Sequence, residues 1–282
     1  MKTILFAFVA SFTCLTAIAQ EGFKFELKIE PNKTYTTQME SQTNGTIDFK
    51  ADETLLEQMK ANGVETPMKM EQESTMILVS KTGEKNENGD ISANMSYETI
   101  ASKTVVNGEP IDKPNPLDDM QIIGHYDAQN IFKIDSVIGS NVTDQLRSTI
   151  TQTMENVQKQ IDFPKEELKI GDTFDNEIPM SIPMQGLNSM DIIINSTYLL
   201  TDVSKGIAYF DVDQAITLDS EQEQMKLSAS GSGKGVCEFS IDDNYLIKYT
   251  SELPITMNME MNAMLSLKME MDTKTSMSVK IE

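Results

Sequence analysis

From Phe23 onward, apolar and polar residues alternate with a period of two, and the alternating runs are separated by turn-forming residues. That period puts every second side chain on one face of a β-strand, so the pattern predicts antiparallel strands joined by short turns. Runs are expected over residues 68–79, from Ile91 through Ala93, Met95 and Tyr97, and over 192–203, 207–218, 225–229, 236–241 and 245–253. The last run is the clearest: Leu265, Leu267, Met269, Met271, Met277, Val279 and Ile281 share one face, and the opposite face is polar and mostly charged. Asn88-Gly89 and Asn107-Gly108 supply the positive φ that tight hairpins need, and residues 84–89, 204–206 and 242–244 read as further turns.

Two stretches switch to helical spacing. Asp52 is placed to cap a short helix over 52–62, with Leu55, Leu56 and Met59 on one side, Lys60 near its end and Asn62-Gly63 closing it. A longer amphipathic helix is expected from Asn141 to Ile161, carrying Val142, Leu146, Ile150, Met154, Val157 and Ile161 at helical spacing. The strand-rich halves on either side echo each other. Leu27-Lys28-Ile29 with Thr34-Tyr35 returns as Leu168-Lys169-Ile170 with Thr173-Phe174, and Ser74-Thr75-Met76-Ile77-Leu78 returns as Ser196-Thr197-Tyr198-Leu199-Leu200. The expected fold is mainly β, a β-rich α+β protein. An antiparallel curved sheet or half-barrel, built by internal duplication, is crossed by one long amphipathic helix and accompanied by one short helix. Its parts are a leader at 1–19, an N-terminal half at 20–139, the central helix at 140–162 and a C-terminal half at 163–282.

The leader is expected to be a cleaved export signal. Met1-Lys2 precedes the apolar run Ile4-Leu5-Phe6-Ala7-Phe8-Val9-Ala10, too short to span a bilayer, and Ala17-Ile18-Ala19 forms a small-residue cleavage site. Cys14 does not read as a lipidation site, because Ser11 and Thr13 occupy the places usually held by a Leu-type and a small residue. Cleavage leaves Cys237 as the only thiol, so the core must hold the fold without an intramolecular disulfide. A location in the periplasm or outside the cell follows as the expectation.

Charge narrows the choice of partners. The 282 residues carry 23 basic and 44 acidic side chains, a formal net charge of −21, without a basic stripe. Phosphate backbones are bound by clustered Lys and Arg, so no nucleic-acid partner is expected. At 39% hydrophobic and 24% charged, the chain fits neither a disordered nor an integral membrane protein.

Chemistry-bearing residues are sparse. The single His125 has no Cys or second His at ligand spacing, and it reads as a strand-end residue making an ordinary hydrogen bond. Gly231-Ser232-Gly233-Lys234-Gly235 lacks the two glycines separated by four residues before Lys that a phosphate loop requires, and a strand rather than a helix follows; a flexible hairpin is expected. The acids at Asp118-Asp119, Asp211 with Asp213, and Asp242-Asp243 do not match a calcium loop and read as structural turns. Cys237, with alternation on both sides, reads as a small buried apolar side chain. No enzyme chemistry, cofactor or metal is expected.

Methionine is the compositional oddity, with 20 in the chain. Thioethers at alternate strand positions could bind copper(I), but these residues fill the same phase as Leu and Val, which favours an apolar face. Unbranched, polarizable side chains also accept apolar ligands of varied shape. Candidate ligand-binding positions are Met257, Met259, Leu267, Met269 and Met271 on the sheet, with Leu146, Ile150 and Met154 on the helix that would cover one mouth.

The stretch Phe163-Pro164-Lys165-Glu166-Glu167-Leu168-Lys169-Ile170-Gly171-Asp172-Thr173-Phe174, together with Lys33-Thr34-Tyr35-Thr36, resembles a domain-of-unknown-function family of exported Bacteroidota proteins rich in Met and Thr strands. The resemblance covers most of residues 23–282, and its motifs are turns and strand starts, so it carries over no catalytic residue. It implies that Asp135-Ser136-Val137 is similar to the acceptor of that group's envelope O-glycosylation, at Ser136; the alternative is an ordinary strand end. A looser, architecture-level similarity is to periplasmic lipoprotein carriers, half-barrels whose concave face holds acyl chains. The expected function is non-catalytic binding of a lipid-like or other apolar molecule on a Met-lined concave sheet in the cell envelope. The alternatives are a structural or protein-interaction component with a dry core, and a hydrolase using carboxylates that the sequence does not locate.

Overall fold

A computed structural model describes residues 22–63, 65–111, 119–140, 142–157, 162–182, 190–222, 225–262 and 265–282. The expected leader at 1–19 lies outside them. Alternating polarity produces long antiparallel strands: β1 (Thr34–Ala51), β2 (Met68–Lys85), β3 (Ile91–Val106), β4 (Glu109–Ile111), β5 (Gln121–Tyr126) and β6 (Phe132–Ile138) in the first half. The second half holds β7 (Thr173–Ile182), β8 (Met190–Ser204), β9 (Ile207–Gln222), β10 (Met225–Ser240), β11 (Tyr245–Asn262) and β12 (Leu265–Ile281). Helix α1 (Glu53–Ala61) follows β1, and α2 (Asp144–Val157) joins the halves.

All twelve strands form one sheet in the order β6-β5-β3-β2-β1-β12-β11-β10-β9-β8-β7, with the short β4 on β3. The first half meanders outward from β1 and the second returns inward to β12, so the two halves meet at the β1/β12 pair. Asn107 and Gly108, both at positive φ, make the β3–β4 hairpin as the sequence predicts.

The sheet is curved, and the segment before β1 shows how strongly. Phe23 exchanges backbone hydrogen bonds with Leu168, just ahead of β7, both at 2.8 Å. Lys28 N–H donates to the Asn244 carbonyl in the β10–β11 turn at 2.9 Å, and Ile29 N–H donates to Asn130 Oδ1 in the β5–β6 turn at 3.3 Å. Six residues reach about 21 Å at full extension, whereas a flat path of eleven strands would be about 48 Å wide. One short segment can therefore touch both margins only because the sheet curls. The alternation that begins at Phe23 thus belongs to a strap across the sheet's end, which reaches ladder pairing only at the Phe23–Leu168 bridge.

Three clusters fill the interior. Phe25 of the strap packs with Phe174, Tyr198, Leu200, Phe210, Cys237 and Phe239. Its ring lies 5.3 Å from Phe210 and 5.5 Å from Phe239, both edge-on. A second cluster unites Ile216, Leu227, Ala229, Leu253, Ile255, Met257 and Met259 at the other end of β9–β11. The third holds Ala93, Met95, Ile122, Phe132 and Val137 beneath α2.

Helix signals behave as the sequence predicts at α1: Asp52 Oδ1 accepts from Leu55 N–H at 2.9 Å, and Asn62-Gly63 ends the helix. At α2 the helix begins later than Asn141, because the Thr143 hydroxyl caps it through Leu146 N–H at 3.2 Å.

The expected hairpin at Gly231-Ser232-Gly233-Lys234-Gly235 is a misreading. These residues lie in the middle of the unbroken strand β10, paired along β9 from Gly231↔Ile216 to Gly235↔Val212. The physical reason is crowding. A Cβ on Gly231, Gly233 or Gly235 would come within 2.6, 2.5 or 2.4 Å of the Pro254, Glu252 and Thr250 carbonyl oxygens of β11. All three face the interior, where the bent sheet brings the neighbouring backbone too close for any side chain.

Candidate functional site

Strand register converts the alternation into rows that cross the interior from strand to strand. Nearest the strap are the aromatic residues of the first cluster, where burial pushes the Cys237 thiol up to about 12; at the start of β11, burial does the same to the Tyr245 phenol, whose ring lies 5.0 Å from that of Tyr35. Cys237 is 1% exposed and stays a protonated thiol, as its apolar setting in the sequence predicts.

A polar belt comes next. Ser74, Ser41, Thr275, Ser251 and Gly235 are successive partners across β2, β1, β12, β11 and β10. One step further along the strands lie Gln72, Thr43 and Thr273 on one side and Gly233, Gln214, Ser196 and Asn176 on the other. Thr43 and Thr273 hydroxyls meet at 3.1 Å. Ser196 is 1% exposed and Gln214 6% exposed, and neither Ser196 Oγ nor Gln214 Oε1 has a hydrogen-bond partner among the described residues.

Beyond the belt the interior turns apolar and rich in Met. Met70, Gly45, Met271, Ile255, Gly231, Ile216 and Ile194 form one row. Met68, Ile47, Met269, Met257, Ala229 and Leu218 form the next, followed by Phe49, Leu267, Met259 and Leu227. A trough of about 880 Å³ follows the first of these rows from β2 to β9, bordered by Met70, Gly45, Met271, Ile255, Gly231 and Ile216 and also by flanking residues of the opposite phase, Lys69, Glu71, Glu270 and Asp272 among them. Over Gly45 two thioether side chains converge, with the Met271 Cγ methylene and the Met70 Cε methyl 3.4 and 3.8 Å from where a Cβ would project.

Charge is sorted with equal regularity. The interior-facing positions from Tyr35 to Ala51 in β1, Met68 to Thr82 in β2, Leu227 to Phe239 in β10, Tyr249 to Met259 in β11 and Leu265 to Ile281 in β12 are all uncharged. The acids and lysines of these strands occupy the opposite face, where Lys274 pairs with Glu252 at 2.8 Å and Lys248 with Glu238 at 2.9 Å. Burying an unpaired charge is far costlier than burying a thioether, so this arrangement fits an interior that receives neutral groups.

The candidate residues divide between two places. Met257 is 2% exposed and Met259 is buried, both packed in the second cluster, while Leu267, Met269 and Met271 are half-buried against it. Met271 alone of these five borders the trough. Ile150 is buried and Leu146 half-buried in the third cluster, against the β3/β5/β6 end of the sheet, so these helix positions share no cluster with the Met rows. The side chain of Met154 lies outside the described residues. Ser136 is half-buried in β6, opposite Ile123; Asp135 is the extra residue of a bulge there, and its Oδ2 lies 3.1 Å from His125 Nδ1. Asp211 and Asp213 are exposed on β9, and Asp243 closes the β10–β11 turn by accepting from the Ser240 hydroxyl at 2.6 Å. Among the described residues no cluster of three or more His, Cys, Asp or Glu could hold a metal ion.

The unpartnered pair Gln214 and Ser196 and the polar belt are not apparent from sequence. Ser and Thr at alternate positions look like a solvated strand face until register lines them up across five strands.

No family model matches the chain, so the resemblance to exported Bacteroidota proteins gains no support there. No curated protein matches it either. Among solved structures it is similar to one described as "Lipid-protein interactions in lipovitellin", with a TM-score of 0.45 and 9% identity over 90% of this chain. The chain spans 26% of that protein's length. No described helix is long and apolar enough to cross a membrane.

Proposed function

We propose that this is an exported, non-catalytic protein of the cell envelope that holds a lipid-like or other apolar ligand on the Met-rich interior of its curved sheet. The observation that carries the reading is the uncharged interior, apolar over three adjoining rows and only half-buried along β1 and β12. Half-exposed Leu267, Met269 and Met271 leave apolar surface that a hydrocarbon chain would cover, and flexible thioethers adapt to its shape. The trough along the first row offers volume of the order that small-molecule sites use.

A second reading has its own support. Met257 and Met259 are buried in a packed cluster, as they would be in the dry core of a structural or interaction component. Titration of the purified protein with N-phenyl-1-naphthylamine, a neutral apolar fluorophore, separates the two. Saturable enhancement of its emission supports ligand binding, and a flat titration supports the dry core.

A further inference from the structure

We infer that Gln214 and Ser196 recognise the neutral polar group of an amphiphile whose hydrocarbon chain lies along the Met rows, an inference that rests on the lipid-binding reading above. The two residues are direct partners across β8 and β9, and on the other side Gln214 faces Gly233, which contributes no polar side chain. Buried polar atoms are almost always hydrogen-bonded, and leaving one unpaired is costly, yet both Ser196 Oγ and Gln214 Oε1 stand unpartnered among the described residues.

Their position gives the pair its meaning. Each is two residues along its strand from an apolar residue of the first Met row, Ser196 from Ile194 and Gln214 from Ile216. In the other direction each is two residues from the aromatic cluster, at Tyr198 and Val212. The pair therefore forms the polar boundary between an aromatic wall and an apolar field. From Ile255 to Met259, the three rows run about 13 Å along β11, and each continues across the neighbouring strands, which gives an acyl chain room to lie along them.

The polar group must be uncharged. Gln214 Oε1 asks for a donor and Ser196 Oγ can donate or accept, while the interior positions around them carry no cation to balance a carboxylate or phosphate. A hydroxyl or amide meets all three conditions. The ligand class is accordingly a neutral lipid bearing a hydroxyl or amide, such as a monoacylglycerol.

The test uses the full chain, N-phenyl-1-naphthylamine as reporter, and monopalmitoylglycerol and palmitate as competitors at pH 8. Monopalmitoylglycerol is expected to displace the reporter more than tenfold better than palmitate. In Gln214→Leu, and separately in Ser196→Ala, once competition is corrected for each variant's own affinity for the reporter, monopalmitoylglycerol should bind about tenfold less well while palmitate is little changed. Equal competition by the two lipids in the wild type overturns the inference and leaves the apolar site standing; so does unchanged competition in both variants, the result expected if the pair holds only a buried water. No binding of the reporter to the wild type overturns the lipid-binding reading and the inference with it. If Gln214→Leu does not fold, Ser196→Ala and the wild-type comparison decide.

Discussion

Phe23 and Leu168 exchange two backbone hydrogen bonds of 2.8 Å across 145 positions of sequence, tying the strap to the lead-in of β7 at one margin of the sheet. Two residues on, Phe25 sinks its ring among Phe163, Phe210 and Phe239. The strap is thus an anchor as well as a cover. Phe25→Ala should cost about 3–5 kcal/mol, the range for emptying a buried aromatic site. Urea denaturation would show the midpoint falling with the slope unchanged; a variant as stable as the wild type would mean that the strap only rests on the sheet.

The glycines of β10 give a sharper prediction. At Gly233 a Cβ would lie 2.5 Å from the Glu252 carbonyl oxygen and 2.8 Å from Leu253 Cδ1, and the backbone contact cannot give way cheaply. Gly233→Ala should destabilise by about 1–3 kcal/mol, as overpacking does, whereas Ser232→Ala, on the exposed face next to it, should be near neutral. Equal denaturation midpoints for the two variants would refute the crowding argument.

Cys237 links the aromatic cluster to pH. Its thiol rises from an ordinary value of 9.0 to about 12 in the fold because burial disfavours the thiolate. Between those values the unfolded chain has lost a proton that the folded chain keeps. The contribution is therefore complete below pH 9 and is lost as pH rises towards 12, at about 1.4 kcal/mol per unit. Tyr245 shifts in the same direction, for the same reason. Stability measured from pH 8 to 11 should fall, and less steeply in Cys237→Ala. The native thiol should also resist an aromatic disulfide reagent at pH 8 until the protein unfolds; rapid labelling would contradict its burial.

Gly45 tests the Met rows from the ligand's side. Met70 and Met271 close over it from either strand, so Gly45→Leu would fill the row with a branched side chain. Binding of N-phenyl-1-naphthylamine should weaken at least tenfold while the denaturation midpoint moves little, since the neighbouring positions are only half-buried. Unchanged binding would place the ligand elsewhere.

Local signals made much of this fold legible. The period-two runs marked β2, β3, β8, β9, β11 and β12, and Asp52 with Asn62-Gly63 marked α1 at both ends, whereas no run singled out β1 or β7 and β10 was split at its glycines. What depended on tertiary proximity was not legible. Gly231, Gly233 and Gly235 read as a loop because composition cannot reveal that β11 presses on them. Phe23 and Phe25 alternate like strand residues, but their partners are distant clusters that only the curl of the sheet brings within reach. The Met positions of the interior were visible from phase. The packing of Leu146 and Ile150 against β3, β5 and β6 was not, because an amphipathic pattern specifies a buried face without naming what buries it.

The central claim is that the Met-rich interior carries a ligand in the cell. Purification from its own envelope without detergent, with native and denaturing masses compared alongside an organic extract, tests it most directly. The account predicts a native mass higher than the denatured one by a single lipid, and that lipid in the extract as a neutral amphiphile. Identical masses and an empty extract would contradict it and turn attention to protein partners of the sheet.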